Sequence, residues 1–182
     1  IPMGVVCGHK VPTIILTPPS APLTLLWLAV ANSFAMDFLV RKKVALTMSL
    51  TLMDSLPLPR AFANTPTEGA IALRSLRLTA TGPEMDDFRG KAAVELGVSI
   101  EEAAPAETPS DRNQLRAELD VLVARDLFGL SRDEMRYVLE PADILGPDCG
   151  FETFGALERA ERREFGSFAT RNRILATWDT LP

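Results

Sequence analysis

The 182 residues carry a net charge of −5, with 47% hydrophobic and 24% charged side chains, an ordinary balance for a folded soluble protein with enough length to bury a core. An acidic chain of this kind is not an indiscriminate nucleic-acid binder. The charge is uneven, however: residues 1–60 hold Lys10, Arg41, Lys42, Lys43 and Arg60 against Asp37 and Asp54, a local +3 that leaves −8 for the remainder. Cys7 and Cys149 lie too far apart for the paired spacing of a zinc site, so a reduced, cytoplasmic setting is expected. The start Ile1-Pro2-Met3 is neither a translation start nor a signal peptide, and the chain reads as a piece of something longer.

In chain order, Val5 to Leu16 reads as two short strands with Gly8 at the turn and Pro12 confining the second to an edge. His9, the single histidine, has no evident partner for nucleophilic catalysis. Ser20 is placed to cap a helix from Ala21, with Pro22 tolerated in its first turn. The apolar run from Leu23 to Val40 then predicts one long helix enclosed on most sides. Its length approaches that of a membrane span, but Asn32, Ser33 and Asp37 would be costly in lipid, and no membrane is expected as a partner.

Arg41, Lys42 and Lys43 follow, where cations complement a helix C-terminus with no ligand required. Val44, Leu46, Met48, Leu50 and Leu52 alternate with Ala45, Thr47, Ser49 and Thr51, the period of a half-buried strand. A competing reading starts a short helix at Ser49 and ends it at Pro57. The predicted fold is therefore α+β and predominantly helical, with a small strand-helix-strand unit over residues 1–60. Helices and a linker fill 61–109, and a helical tail fills 110–182.

Helices are expected over Glu68 to Thr81, ended by Gly82-Pro83, and over Met85 to Leu96. Ser99 to Pro109 reads as a solvent-facing loop. From Ser110, Leu115, Leu119, Leu122, Val123 and Leu127 form an amphipathic face that ends near Gly129. Ser131 and Glu134 form a capping box for a helix stopped by Pro141. Phe154 to Phe165 and Phe168 to Leu181 are two further helices parted at Gly166.

No glycine-rich phosphate loop, dinucleotide fingerprint, nucleophile elbow or His-Glu-x-x-His motif occurs. The pairs Glu101-Glu102 and Asp86-Asp87 lie in polar segments that would leave them solvated. No catalytic residue is assigned.

Four stretches carry a resemblance. Asn32-Ser33-Phe34 with Asp37 to Val44, then Met53 to Arg60 closing on Leu56-Pro57-Leu58-Pro59, resemble the region after the catalytic domain in adenine-N6 DNA methyltransferases of restriction-modification and phage-defence systems. Leu119 to Ala124 followed by Phe128 to Glu134, and Phe165-Gly166 to Leu175 with Trp178-Asp179, are similar to the helical tail of those enzymes. The chain departs from the pattern at Ala45-Leu46, where many relatives carry small residues. The resemblance implies a target-recognition fragment that holds duplex DNA while an upstream domain of the same protein methylates adenine from S-adenosylmethionine. No cofactor is expected within this fragment. Lys10, Arg41, Lys42, Lys43 and Arg60 would then contact phosphates, and Thr47, Ser49 and Thr51 would face base edges. The alternative is a non-catalytic helical protein-interaction module with an acidic tail.

Overall fold

The computed structural model describes residues 16–44 and 49–182. Among the described residues every regular element is a helix and none is a strand, which overturns the α+β class and the strand-helix-strand unit. The expected strands over Val5 to Leu16 lie almost entirely outside the described residues. At the second expected strand, Ser49 decides the outcome. Its hydroxyl accepts the Leu52 amide at 3.2 Å and caps helix α3, Leu50–Asp54. A local side-chain bond of this kind draws the backbone out of a strand ladder.

The predicted long central helix is two helices, α1 (Ala21–Ala31) and α2 (Phe34–Lys43), bent by 62°. Ser20 caps α1 as expected, accepting the Leu23 amide at 3.3 Å. The break comes from two of the three polar residues that argued against a membrane span, Asn32 and Ser33. Asn32 donates to the Leu28 carbonyl at 2.8 Å. Ser33 donates to the Val30 carbonyl at 2.9 Å and accepts the Met36 amide at 3.2 Å, so one hydroxyl closes α1 and opens α2. No single helix among the described residues is long and apolar enough to cross a membrane.

The bend lets the two halves bury different faces. Helix α1 lies along α4 (Pro66–Thr79) and reaches α5 (Asp86–Leu96), whereas α2 packs on α7 (Arg132–Leu139). Leu25 joins Ala72, Leu76 and Ala92 in one apolar cluster; Leu26 and Val30 join Ile71 and Val123 in a second. Ala35 joins Val121, Met135, Phe168 and Ile174 in a third. Helix α6 (Pro109–Val121) supplies the spine between them, with α4 on one side and α10 (Ala169–Thr180) on the other.

Beyond Val121 the helix widens into a π-helical turn, Leu122–Leu127. The Phe128 amide reaches the Val123 carbonyl at 3.0 Å, and Gly129, with φ of 67°, allows Leu130 to close on the Ala124 carbonyl at 2.9 Å. The capping box at Ser131 and Glu134 is formed as predicted. Glu68 completes another with Thr65 at the start of α4. Short α8 (Ala142–Leu145) and α9 (Gly155–Phe165) complete the tail. Arg136, Arg162 and Arg171 stitch α7 to α10 through Glu140 and Asp143.

Leu76 is wholly buried, whereas Val94 is 80% exposed. Leu76→Ala should lower unfolding free energy by about 2–5 kcal/mol, and Val94→Ala should stay within about 0.5 kcal/mol of the parent; urea denaturation of both variants measures the contrast.

Candidate functional site

Two places set several basic side chains beside a cleft: the C-terminal end of α2, and a groove at its N-terminal end.

At the C-terminal end, Arg41, Lys42 and Lys43 stand exposed on successive positions. Each has a local contact. Arg41 forms a two-pronged bond to Asp37 at 3.0 Å, one helical turn earlier, and lies 5.0 Å from the Phe154 ring centre. The Lys42 ammonium sits 3.2 Å above the Phe151 ring. Lys43 donates to the Ser55 carbonyl and hydroxyl at 3.2 and 3.3 Å, tying α2 to the end of α3. Arg41 and Lys42 flank a shallow cleft of about 400 Å³ with Phe38, Phe151 and Thr153. The Thr153 hydroxyl lies enclosed behind the cleft with no hydrogen-bond partner among the described residues. Exposed surface pairs such as Arg41–Asp37 contribute little, so these cations can exchange their partners for an incoming anion.

The other expected site residues do not join them. Ser49 is committed as the cap of α3, and Thr51 stands exposed on that helix rather than on a strand face. Arg60 lines a different cleft, with Pro18, Ser20 and Glu95 near the start of α1. Lys10 and Thr47 lie outside the described residues, as do Cys7 and His9. Cys149 donates its thiol to the Phe151 carbonyl at 3.3 Å. No group of three metal-ligating side chains occurs among the described residues.

The groove at the N-terminal end of α2 was not anticipated. About 640 Å³ in volume, it runs between the α1–α2 bend, α4, α6 and the start of α10. Leu28, Ala29, Phe34, Leu119 and Ile174 form apolar walls, and Arg112, Arg116 and Arg173 stand around them. Asp120 lines the same groove and is only 7% exposed. Its Oδ1 accepts the Phe34 amide, the first of α2, at 2.8 Å; Oδ2 has no hydrogen-bond partner among the described residues. Burial raises the carboxyl to about 7, and the Phe34 bond opposes that rise. The sequence holds one faint trace of this site. Asp120 falls among Ala117, Val121 and Ala124, all buried, so a carboxylate occupies an inward arc of an amphipathic helix.

No protein family, curated protein or solved structure matches the chain. The site therefore rests on its own geometry.

A carboxyl whose folded value lies above its unfolded one favours the fold while protonated, so that contribution is full below about 4 and lost as pH rises through about 7. Asp120→Asn keeps an oxygen for the Phe34 amide without the charge. Between pH 5 and pH 8 the variant should gain on the parent by about 2.5 kcal/mol. Urea midpoints of both proteins across that range read the difference.

Proposed function

We propose that this chain is the DNA-binding, target-recognition part of an adenine-specific DNA methyltransferase. Its role is to position duplex DNA while a domain upstream in the same protein performs the transfer from S-adenosylmethionine. No residue here is assigned to that cofactor. The observation that supports the reading is that the four stretches carrying the resemblance, far apart in sequence, are joined to one another in the fold.

Asp120, in the Leu119 to Ala124 stretch, holds the Phe34 amide of Asn32-Ser33-Phe34. Lys43 holds Ser55, linking the Asp37 to Val44 stretch to Met53 to Arg60. Arg132, beside the Leu-Ser-x-x-Glu turn, binds Asp179 of Trp178-Asp179 at 2.7 Å. Motifs that recur singly by chance thus behave as parts of one unit. The basic end of α2 then supplies the phosphate contacts, with Arg41, Lys42 and Lys43 as a sequence-independent clamp.

A second reading, a non-catalytic helical protein-interaction module, is favoured by the local commitments of the same three cations to Asp37, Phe151 and Ser55. Salt dependence separates the two. If phosphates displace those contacts, binding to duplex DNA weakens with salt, and changing Arg41, Lys42 and Lys43 together to Ala makes the log–log slope shallower by about 2 to 3. Fluorescence anisotropy with a labelled duplex measures this. A folded chain that binds no duplex at low salt, or a triple variant with an unchanged slope, overturns the DNA reading.

A further inference from the structure

We propose that the groove at the N-terminal end of α2 binds a nucleoside monophosphate whose base carries an exocyclic amine, with its phosphate on Arg116 and Arg173 and its amine toward Asp120.

The argument starts from how this protein neutralises its arginines. Nine of them, among them Arg41, Arg74, Arg132 and Arg171, lie within ion-pair distance of a carboxylate. Of the six with no such partner among the described residues, Arg77 and Arg163 donate to carbonyls, Arg60 lines the cleft near the start of α1, and Arg112, Arg116 and Arg173 all line one groove. Arg112 is spent on the carbonyls of Ala106 and Leu78, at 3.3 and 3.0 Å. Arg116 has only a 3.4 Å contact with Asn113, and Arg173 makes no hydrogen bond among the described residues. In an acidic chain, unneutralised guanidiniums converging on a concavity are a ready receptor for a group with paired oxygens, which they grip bidentately.

Asp120 makes the second demand. A side chain more than nine-tenths buried, with one oxygen occupied by Phe34 and the other open toward the groove, is a fixed acceptor for an N–H donor, and a hydrogen bond to an ionised carboxylate is stronger than one between neutral groups. The same groove is walled by Leu28, Ala29, Phe34 and Ile174, apolar surface suited to a flat ring. The volume, about 640 Å³, lies within the range of small-molecule sites. A paired-oxygen anion, a flat apolar ring and an amine together are the chemistry of an adenine or cytosine nucleotide. A free mononucleotide and an unstacked nucleotide of a single strand share that chemistry.

The assignment stands apart from the DNA reading, because the groove and the basic triplet lie at opposite ends of α2. Ten residues of helix separate them by about 15 Å.

Isothermal titration of the 182-residue chain at pH 8, where Asp120 is ionised and only accepts, tests it with four ligands: adenosine monophosphate, inosine monophosphate, adenosine and a short single strand of deoxyadenosine. Adenosine monophosphate should bind saturably, with adenosine at least about tenfold weaker, and Arg116→Ala and Arg173→Ala should each weaken it about tenfold or more. Inosine monophosphate, with a carbonyl in place of the amine, should bind more weakly than adenosine monophosphate. Asp120→Asn, which turns a donor toward the groove, should reverse that order. A single strand that binds through the same arginines more tightly than the mononucleotide identifies a polymer as the source; the converse identifies the free nucleotide. No binding of adenosine monophosphate at millimolar concentration, equal binding of adenosine, or indifference to both arginine changes overturns the proposal. Arg116 is exposed, so Arg116→Ala decides the matter even if Asp120→Asn fails to fold.

Discussion

The arrangement of this protein hangs on one hydrogen bond, from the Phe34 amide to the buried carboxyl of Asp120. The amides of a helix's first turn have no partner within the helix. Ser33 satisfies the Met36 amide, and Asp120 reaches across from α6 to satisfy that of Phe34. Two electrostatic effects compete at Asp120. The helix terminus favours a negative charge by about 0.3 to 2 kcal/mol, whereas burying a carboxylate costs several. Burial wins, which is why the carboxyl rises to about 7. The bond also holds the bend between α1 and α2 against the spine helix. From that bend follow the separate burial of α1 against α4 and of α2 against α7, and the groove between them.

The tail works in the opposite electrostatic sense. Hydrogen bonds from Arg136, and then from Arg171, hold the Asp143 carboxyl below its ordinary value. Its stabilising contribution is present above the unfolded value and is lost as pH falls through the folded one. Asp120 and Asp143 therefore oppose each other in their response to pH, one buried at the centre and one partly exposed in a network with Glu140, Arg162 and Arg171. The network links α7, α8, α9 and α10 at a surface where single pairs count for little and several together give orientation. With nine arginines neutralised in this way, Arg116 and Arg173, which have no carboxylate partner among the described residues, leave charge to offer at the groove.

Local signals were the legible part of the sequence. Ser20 before Ala21-Pro22, Ser131 with Glu134 and Gly166, left-handed at φ of 75°, each act within a turn of their own position, and each lies where expected. The strand over Val44 to Leu52 was misread because alternation of apolar residues does not reveal that Ser49 will spend its hydroxyl on the Leu52 amide. The single long helix was misread because Asn32 and Ser33 look like polar interruptions of a continuous apolar face. Their local bonds to Leu28, Val30 and Met36 break the helix, and the tertiary bond from the Phe34 amide to Asp120, invisible along the chain, anchors the start of α2. The groove was illegible for the same reason: Arg112, Arg116 and Arg173 are ordinary surface charges along the chain and converge only when α6 and α10 pack together. The basic triplet was visible, but its contacts with Phe151 and Ser55 depend on segments more than ten residues away.

The most direct test of the Asp120–Phe34 link is the Phe34 backbone amide, followed by two-dimensional nitrogen–proton NMR as pH is raised from 4 to 9. The account predicts a downfield, exchange-protected amide that titrates with a midpoint near 7 and ceases to titrate in Asp120→Asn. An amide that exchanges freely, or that titrates in the ordinary carboxylate range near 4, would contradict a buried carboxyl at the head of α2 and the architecture built on it.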